Sequence, residues 1–166
     1  MIYLASDHAG LKLKEEIKNY LVELGMEMED LGAYQFNPDD DYPDFIIPVA
    51  KKVALRQASA SAKAPADKQG VFGIVFGGSG QGEAIAANKV KGIRAAVYYG
   101  PSYAKASEGK GSLDIVKLSR QHNNANILSL GARFLTPQQA KEAVKIWLDT
   151  AFEGGRHERR IKKIEA

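Results

Sequence analysis

The chain is expected to fold as an α/β domain in which a doubly wound, parallel, five-stranded sheet carries helices on both faces. Three observations predict this. Short apolar runs of strand character recur along the 166 residues, and most are followed by a stretch with helical spacing. Glycine-rich or polar loops follow several of these runs, where the carboxyl ends of parallel strands would lie. The length suits one domain with a sizeable core, and 45% apolar with 26% charged residues is an ordinary globular balance.

Residues 2–5 read as a short buried strand, with Ser6-Asp7-His8-Ala9-Gly10 as the loop at its carboxyl end. Leu13, Ile17, Leu21 and Leu24 recur at helical spacing, so residues 11–24 are expected as an amphipathic helix stopped by Gly25. Met26 and Met28 alternate with acids and lead into a second strand ending near Gly32. An acidic loop, 37–43, precedes a helix that Pro43 opens and that runs to about Arg56. Pro48 falls inside it, a position at which helices kink. Residues 57–70 are rich in alanine and serine and lack large apolar side chains, which predicts an exposed loop.

The third strand is expected at 71–76 and its helix at 82–90. A fourth strand follows at 94–98. Gly100-Pro101 then opens an irregular region, with a solvated stretch over 105–111 and helical character over 113–121. The fifth strand is expected at 125–130. Thr136-Pro137-Gln138-Gln139 has the form of a capping box with proline at the first helical position, so a helix should run from there to about Ala151. Gly154-Gly155 ends it, and a short basic helix closes the chain. Crossovers between parallel strands should be right-handed. The whole is a Rossmann-like arrangement over residues 1–166, whose ligands bind at the carboxyl ends of strands near a reversal of strand order.

Composition excludes several function classes. No apolar run approaches the roughly 20 residues of a membrane span, and the first residues lack a signal-peptide pattern, so no membrane association and a cytoplasmic location are expected. Cysteine is absent, which removes disulfides, thiolate metal sites and a cysteine base. No histidine spacing suggests a metal, and no metal or other cofactor is expected. The formal charge is +3, and the tail 156–163 holds five of the 23 basic residues. Without aromatic interleaving, that excess argues against nucleic acid as a partner.

The segment Gly77-Gly78-Ser79-Gly80-Gln81-Gly82-Glu83 carries the most chemistry. Four glycines in six positions lie between a strand and a helix, which makes a nest of N–H donors for an anion. It ends in Glu83 rather than Lys-Ser or Lys-Thr, so a nucleotide triphosphate loop is disfavoured, and the glycine spacing does not match a dinucleotide fingerprint. An anion hole beside a carboxylate suggests proton abstraction next to a carbonyl. Asp7-His8 after the first strand and His122-Asn123 before the fifth supply further acid, base and amide groups, and two of the three histidines are expected near the site. Arg133 follows the fifth strand. Arg156 and Arg160 are four apart and share a helix face, suited to phosphate oxygens. Each of these residues taken singly is also compatible with a plain structural or solvated role.

Taken together the segments become specific. They are Ser-Asp-His-Ala-Gly at 6–10, Asp-Tyr-Pro-Asp at 41–44, the glycine loop at 77–83, Ile-Ala-Ala-Asn-Lys at 85–89 and Gly-Ile-Arg-Ala-Ala at 92–96. Ser-Arg-Gln-His-Asn-Asn-Ala-Asn at 119–126, Gly-Ala-Arg at 131–133 and Gly-Gly-Arg-His-Glu-Arg-Arg at 154–160 complete the set. Their order and kind resemble the type B ribose-5-phosphate isomerases and the galactose-6-phosphate isomerase subunits, over nearly the whole chain. The resemblance implies metal-free interconversion of aldose and ketose phosphates through an enediolate. Many members carry a cysteine base at the position of Gly77, and this chain resembles the branch in which the position of Glu83 takes that role.

By the same resemblance His122 assists ring opening, Asp7 and Asn123 hold the sugar, and Ser79 with the amides of Gly78, Gly80 and Gly82 stabilises the enediolate oxygen. Tyr42 is placed with the substrate-binding residues, and His8, Arg133, Arg156 and Arg160 bind phosphate. The site is expected between subunits of a homodimer or homotetramer, with the C-terminal helix reaching the partner. Two segments, 57–70 and 103–118, are longer than the family pattern and are expected as exposed insertions. Ribose 5-phosphate is the first expectation for substrate. A six-carbon aldose 6-phosphate and a non-catalytic sugar-phosphate-binding module are the alternatives.

Overall fold

A computed structural model describes residues 1–61, 70–100 and 111–165. Five strands, β1 (Ile2–Ser6), β2 (Met28–Asp30), β3 (Phe72–Gly77), β4 (Ala95–Tyr98) and β5 (Ile127–Gly131), form one parallel sheet in the order β2-β1-β3-β5-β4. Six helices accompany them: α1 (Leu11–Glu23), α2 (Tyr42–Ser61), α3 (Gln81–Ala87), α4 (Gly111–Gln121), α5 (Pro137–Asp149) and α6 (Arg156–Ile164).

Strand alternation sorts the core into two layers. Ile2 and Leu4 of β1 with Ile74 and Phe76 of β3 face Leu13, Ile17 and Leu21 of α1, Val116 of α4 and Val144 and Trp147 of α5. Tyr3, Ala5 and Val75 point the other way, onto Ile46, Val49 and Val53 of α2 and Ala87 of α3. Every residue of β1 and β5 is buried, as a sheet covered on both faces requires. The capping box at the start of α5 is formed, with Thr136 Oγ1 accepting from the Gln139 N–H at 3.2 Å.

Two boundaries differ from expectation. Residues 57–61, expected in a loop, continue α2. Alanine and serine are compatible with helix when tertiary contacts hold them, and Gln57 here donates from Nε2 to the Val71 carbonyl at 2.9 Å. The helix expected over 113–121 is α4, which begins two residues earlier at Gly111 and turns Val116 into the core. The rest of both expected insertions, 62–69 and 103–110, lies outside the described residues.

One buried ion cluster braces the outer edge of the sheet. Lys14 of α1 is fully buried and donates to Asp30 of β2 at 2.8 and 3.0 Å and to the Ala33 carbonyl at 2.7 Å. Burial pushes the Asp30 carboxyl up. The hydrogen bonds from Lys14, the Gly32 N–H and Lys18 outweigh it and hold the group below its usual range. No helix among the described residues is long and apolar enough to cross a membrane.

Candidate active site

The chain leaves β1 for β2 on one side and returns to β3 on the other, so strand order reverses between β1 and β3. The loops at their carboxyl ends diverge there and open a crevice. Asp7 ends β1 and the glycine loop ends β3. The start of α1 meets β3 so closely that a methyl group on Gly10 would overlap the Phe76 backbone.

Glu83, in the first turn of α3, is 4% exposed. Its carboxylate lies over Gly77, where any side chain would overlap it. Burial is the main cause that raises its pKa above the ordinary 4.5, and the Asp7 charge adds to this. The N–H groups of Glu83 and Gly80 and the Arg133 charge pull the other way without reversing it. Gly80 adopts φ 78°, the left-handed region, and its carbonyl accepts from Ser129 Oγ at 2.7 Å. That bond fastens the loop to β5. Ser79 stands exposed on the loop, its Oγ accepting weakly from the Gln81 N–H at 3.3 Å.

Arg133 reaches back from the end of β5. Its N–H donates to the Gly78 carbonyl at 3.1 Å, and its guanidinium covers Gly78 so that an added Cβ would lie 3.1 Å from it. The Tyr42 ring closes over Gly82 in the same manner, 2.9 Å from the position of a Cβ. Asp7 is 7% exposed and accepts from the Gly10 N–H at 2.9 Å. Beside it His8 binds Asp40 from ring Nδ1 at 2.6 Å and from its main-chain N–H at 3.2 Å. That side-chain bond raises the His8 pKa above 6.5. Sequence reasoning missed Asp40. Three consecutive acids at 39–41 were the available signal, but nothing local marks which one meets a histidine 32 positions away.

Asp7, His8, Tyr42, Gly78, Ser79, Gly80, Gly82, Glu83 and Arg133 therefore gather at one end of the sheet. The remaining predicted residues do not join them. His122 and Asn123 precede β5, at its amino end, whereas Arg133 follows it. Five residues at about 3.3 Å each put roughly 16 Å of strand between the two ends. The predicted site residues of one chain therefore fall into two groups, at opposite ends of β5. The reason is topological, because α4 returns the chain to the amino side before β5 begins. The same end receives α6. Glu153 N–H bonds to the Gln121 carbonyl at 3.1 Å, and the rings of His122 and His157 stack 4.2 Å apart and 6° from parallel. Glu153 Oε2 lies 3.8 Å from Nε2 of each ring.

His157 is 6% exposed. Burial first, then His122, Arg156 and Arg160, lower its pKa below 6.5. Its Nε2 accepts from Arg156 Nε at 3.4 Å, which only an unprotonated nitrogen does. Arg156 and Arg160 are exposed on α6. Neighbouring Arg120 anchors the turn before β5. It donates to the Ala125 carbonyl at 2.6 Å and to Asn124 Oδ1 at 2.9 Å, and burial pushes its pKa down to about 10.

Two groups have metal-ligand residue types, Asp7/His8/Asp40 and His122/Glu153/His157. In the first, the 2.6 Å contact between His8 and Asp40 is a direct hydrogen bond with no room for an ion between the atoms. In the second, the Nε2 of His157 is taken up by the Arg156 Nε–H, which places a guanidinium cation where an ion would bind. Neither is a formed metal site.

The strand-end cluster can abstract a proton and hold the resulting oxyanion, and the α6 cluster can bind an anion and handle a hydroxyl proton. Comparison with known proteins agrees with that chemistry. The family model for ribose/galactose isomerases matches residues 2–164. A putative sugar phosphate isomerase of Bacillus subtilis is 40% identical over 163 residues, covering 98% of this chain and 93% of the relative. A probable ribose-5-phosphate isomerase B of Mycoplasma genitalium is 42% identical, covering 98% and 92%. The crystal structure of ribose-5-phosphate isomerase B from Mycoplasma genitalium with bound ribulose-5-phosphate superposes with a TM-score of 0.82 at 39% identity, covering 99% and 93% of the two chains. The isomerase from Thermotoga maritima gives 0.79 at 41%, covering 99% and 96%. With a family match from end to end, and a buried carboxylate set in a glycine nest where the strand order reverses, the chain belongs to the ribose/galactose isomerase family.

Proposed function

We propose that this chain, as one isomerase domain, interconverts ribose 5-phosphate and ribulose 5-phosphate, with Glu83 as the base. The observation that carries the reading is the Glu83 carboxylate, buried, raised in pKa and bordered by the nest amides. A carboxylate so placed removes the C2 proton of the open-chain aldose. The electron pair moves into a C1–C2 double bond and charge develops on O1, which in this reading Ser79 and the nest amides of Gly78 and Gly82 stabilise, while the Gly80 N–H is engaged by the Glu83 carboxylate. Glu83 returns its proton to C1, O1 regains a proton, and the C2 hydroxyl gives up its own to become the ketone.

His122 opens the sugar ring in this reading, Asp7 and Asn123 hold its hydroxyls, and Tyr42 covers the nest. The phosphate lies between His8 and Arg133 on one side and Arg156 and Arg160 on the other. Because the two sets are at opposite ends of one sheet, a second copy of the chain supplies His122, Asn123, Arg156 and Arg160. Exposed aromatic side chains support such a partner. Phe36 packs edge-on to His8, and Tyr99 packs against Phe134 beyond the end of β5, with Phe36, Tyr99 and Phe134 all more than half exposed.

Proton NMR with ribose 5-phosphate in deuterium oxide tests the reading. Ribulose 5-phosphate carrying deuterium at C1 is expected. No turnover of this sugar, with turnover of a six-carbon aldose 6-phosphate, would overturn the substrate. Tight binding of both sugars without turnover of either would overturn the enzyme reading itself.

A further inference from the structure

The His8–Asp40 pair is built more firmly than a loop contact requires. One Asp40 oxygen accepts two bonds from a single residue, the ring Nδ1 and the main-chain N–H. The Asp40 side chain is 6% exposed, and its second oxygen is buried with no partner among the described residues. A carboxylate left in that state is costly unless a charge stands beside it. The ring is also pinned from the side by Phe36, edge to face with centroids 5.9 Å apart. With Nδ1 occupied, Nε2 is the nitrogen left to meet a ligand, and no other described residue bonds to it.

We propose that Asp40 is a positioning residue that holds His8 as a cation with Nε2–H turned to the substrate phosphate. This rests on the reading above only in taking phosphate as the ligand of His8. The pairing turns a residue that is ordinarily half titrated near pH 6.5 into a fixed positive donor, which a phosphate dianion demands and a neutral imidazole meets poorly. Three charged groups face His8 from the elements around it. Asp40 in the loop before α2 and Asp7 at the end of β1 favour the cation, and Arg133 after β5 opposes it. The two acids prevail, so the His8 pKa stands above 6.5. The His8 contribution to phosphate binding is then present below that raised value and is lost as pH rises through it.

The test uses the full-length protein with 15N-labelled histidine. With three histidines in the chain, His8→Gln assigns the resonance. In the wild type the His8 ring should titrate above 6.5. Asp40→Asn keeps an acceptor for Nδ1–H but removes the charge, so His8 should titrate lower than in the wild type. At a pH between the two titrations the KM for ribose 5-phosphate and the Kd for inorganic phosphate should both rise about tenfold in the variant, with kcat changed far less. A loop-bracing role alone would lower thermal stability and leave the titration where it was. A wild-type His8 that titrates at or below 6.5 overturns the proposal without any variant, as does an Asp40→Asn protein with unchanged phosphate affinity. Should the wild type turn over no ribose 5-phosphate, the titration and the inorganic phosphate binding still decide the role of Asp40 independently.

Discussion

At the carboxyl ends of β1 and β3 the acids are sunk into the fold, while at the amino end of β5 the cations stand on its surface. Glu83 and Asp7 are 4% and 7% exposed, yet Arg156 and Arg160 are open to solvent and His122 is partly so. The difference fits the role proposed for each set. A base that takes a carbon-bound proton needs desolvation to raise its pKa, and a burial site prepares that in the free protein. Groups that capture a phosphate and reach a sugar ring need access, and gain strength only when a second surface excludes water around them. Neither set completes the proposed reaction alone.

Removing the base should have the largest effect. Glu83→Gln is expected to lower kcat by about 1,000-fold, within the range of general-base catalysis, while phosphate-ligand affinity stays near wild type. The same variant should be at least as stable. A carboxyl whose folded pKa lies above its unfolded value of 4.5 binds a proton in the folded state that the unfolded chain has released, so stability falls as pH rises from 4.5 through the raised value. The amide removes that loss, and a melting temperature at pH 8 equal to or above wild type checks it.

Displacing the base rather than deleting it should cost less. Gly77→Ala puts a methyl group where the Glu83 carboxylate lies. A shift of about 1 Å is worth about a 100-fold loss in kcat, with near-normal KM in steady-state assays. A wild-type kcat in this variant would show that the carboxylate is not held at a working position.

The α6 cluster should respond in the other parameter. Arg156→Ala and Arg160→Ala are each expected to raise KM about tenfold or more, as for loss of a charge-assisted bond, with a smaller change in kcat. The smallest effect sharpens the link inside the first cluster. The acid limb of kcat/KM should lie above pH 4.5, because activity is lost as Glu83 takes up a proton. Asp7→Asn removes a charge that raises the Glu83 pKa, so the limb should move to lower pH whatever else the variant loses. A limb that stays in place would contradict the coupling.

Most of the fold is legible in the sequence because both layers of the core rest on clear periodicities. Ile2/Leu4 and Tyr3/Ala5 alternate across β1, and Leu13, Ile17 and Leu21 follow one face of α1. The Thr136 box and the Gly80 turn mark helix starts through local chemistry. The extension of α2 through 57–61 is less visible, because alanine and serine fit helix or loop and the deciding bond comes from Val71. Glu83 and its glycine nest are legible as a contiguous strand–loop–helix signal. Asp40 is not, since its role is made by a loop closing on a residue 32 positions earlier. The separation of His122 from Arg133 was in principle readable, because one precedes and the other follows the same parallel strand. Motif order along the chain hides it, for neighbouring motifs look like neighbouring side chains.

The claim that one working site takes its base from one copy and its ring-opening histidine from another has a direct test. Glu83→Gln and His122→Asn proteins, each inactive alone, are mixed in equal amounts, unfolded and refolded together, and assayed with ribose 5-phosphate. Random pairing makes half of the dimers mixed, and each mixed dimer has one intact composite site, so about one quarter of wild-type activity should return. A mixture as inactive as its components would contradict the account, because it would mean that Glu83 and His122 serve a site within a single chain or do not share one.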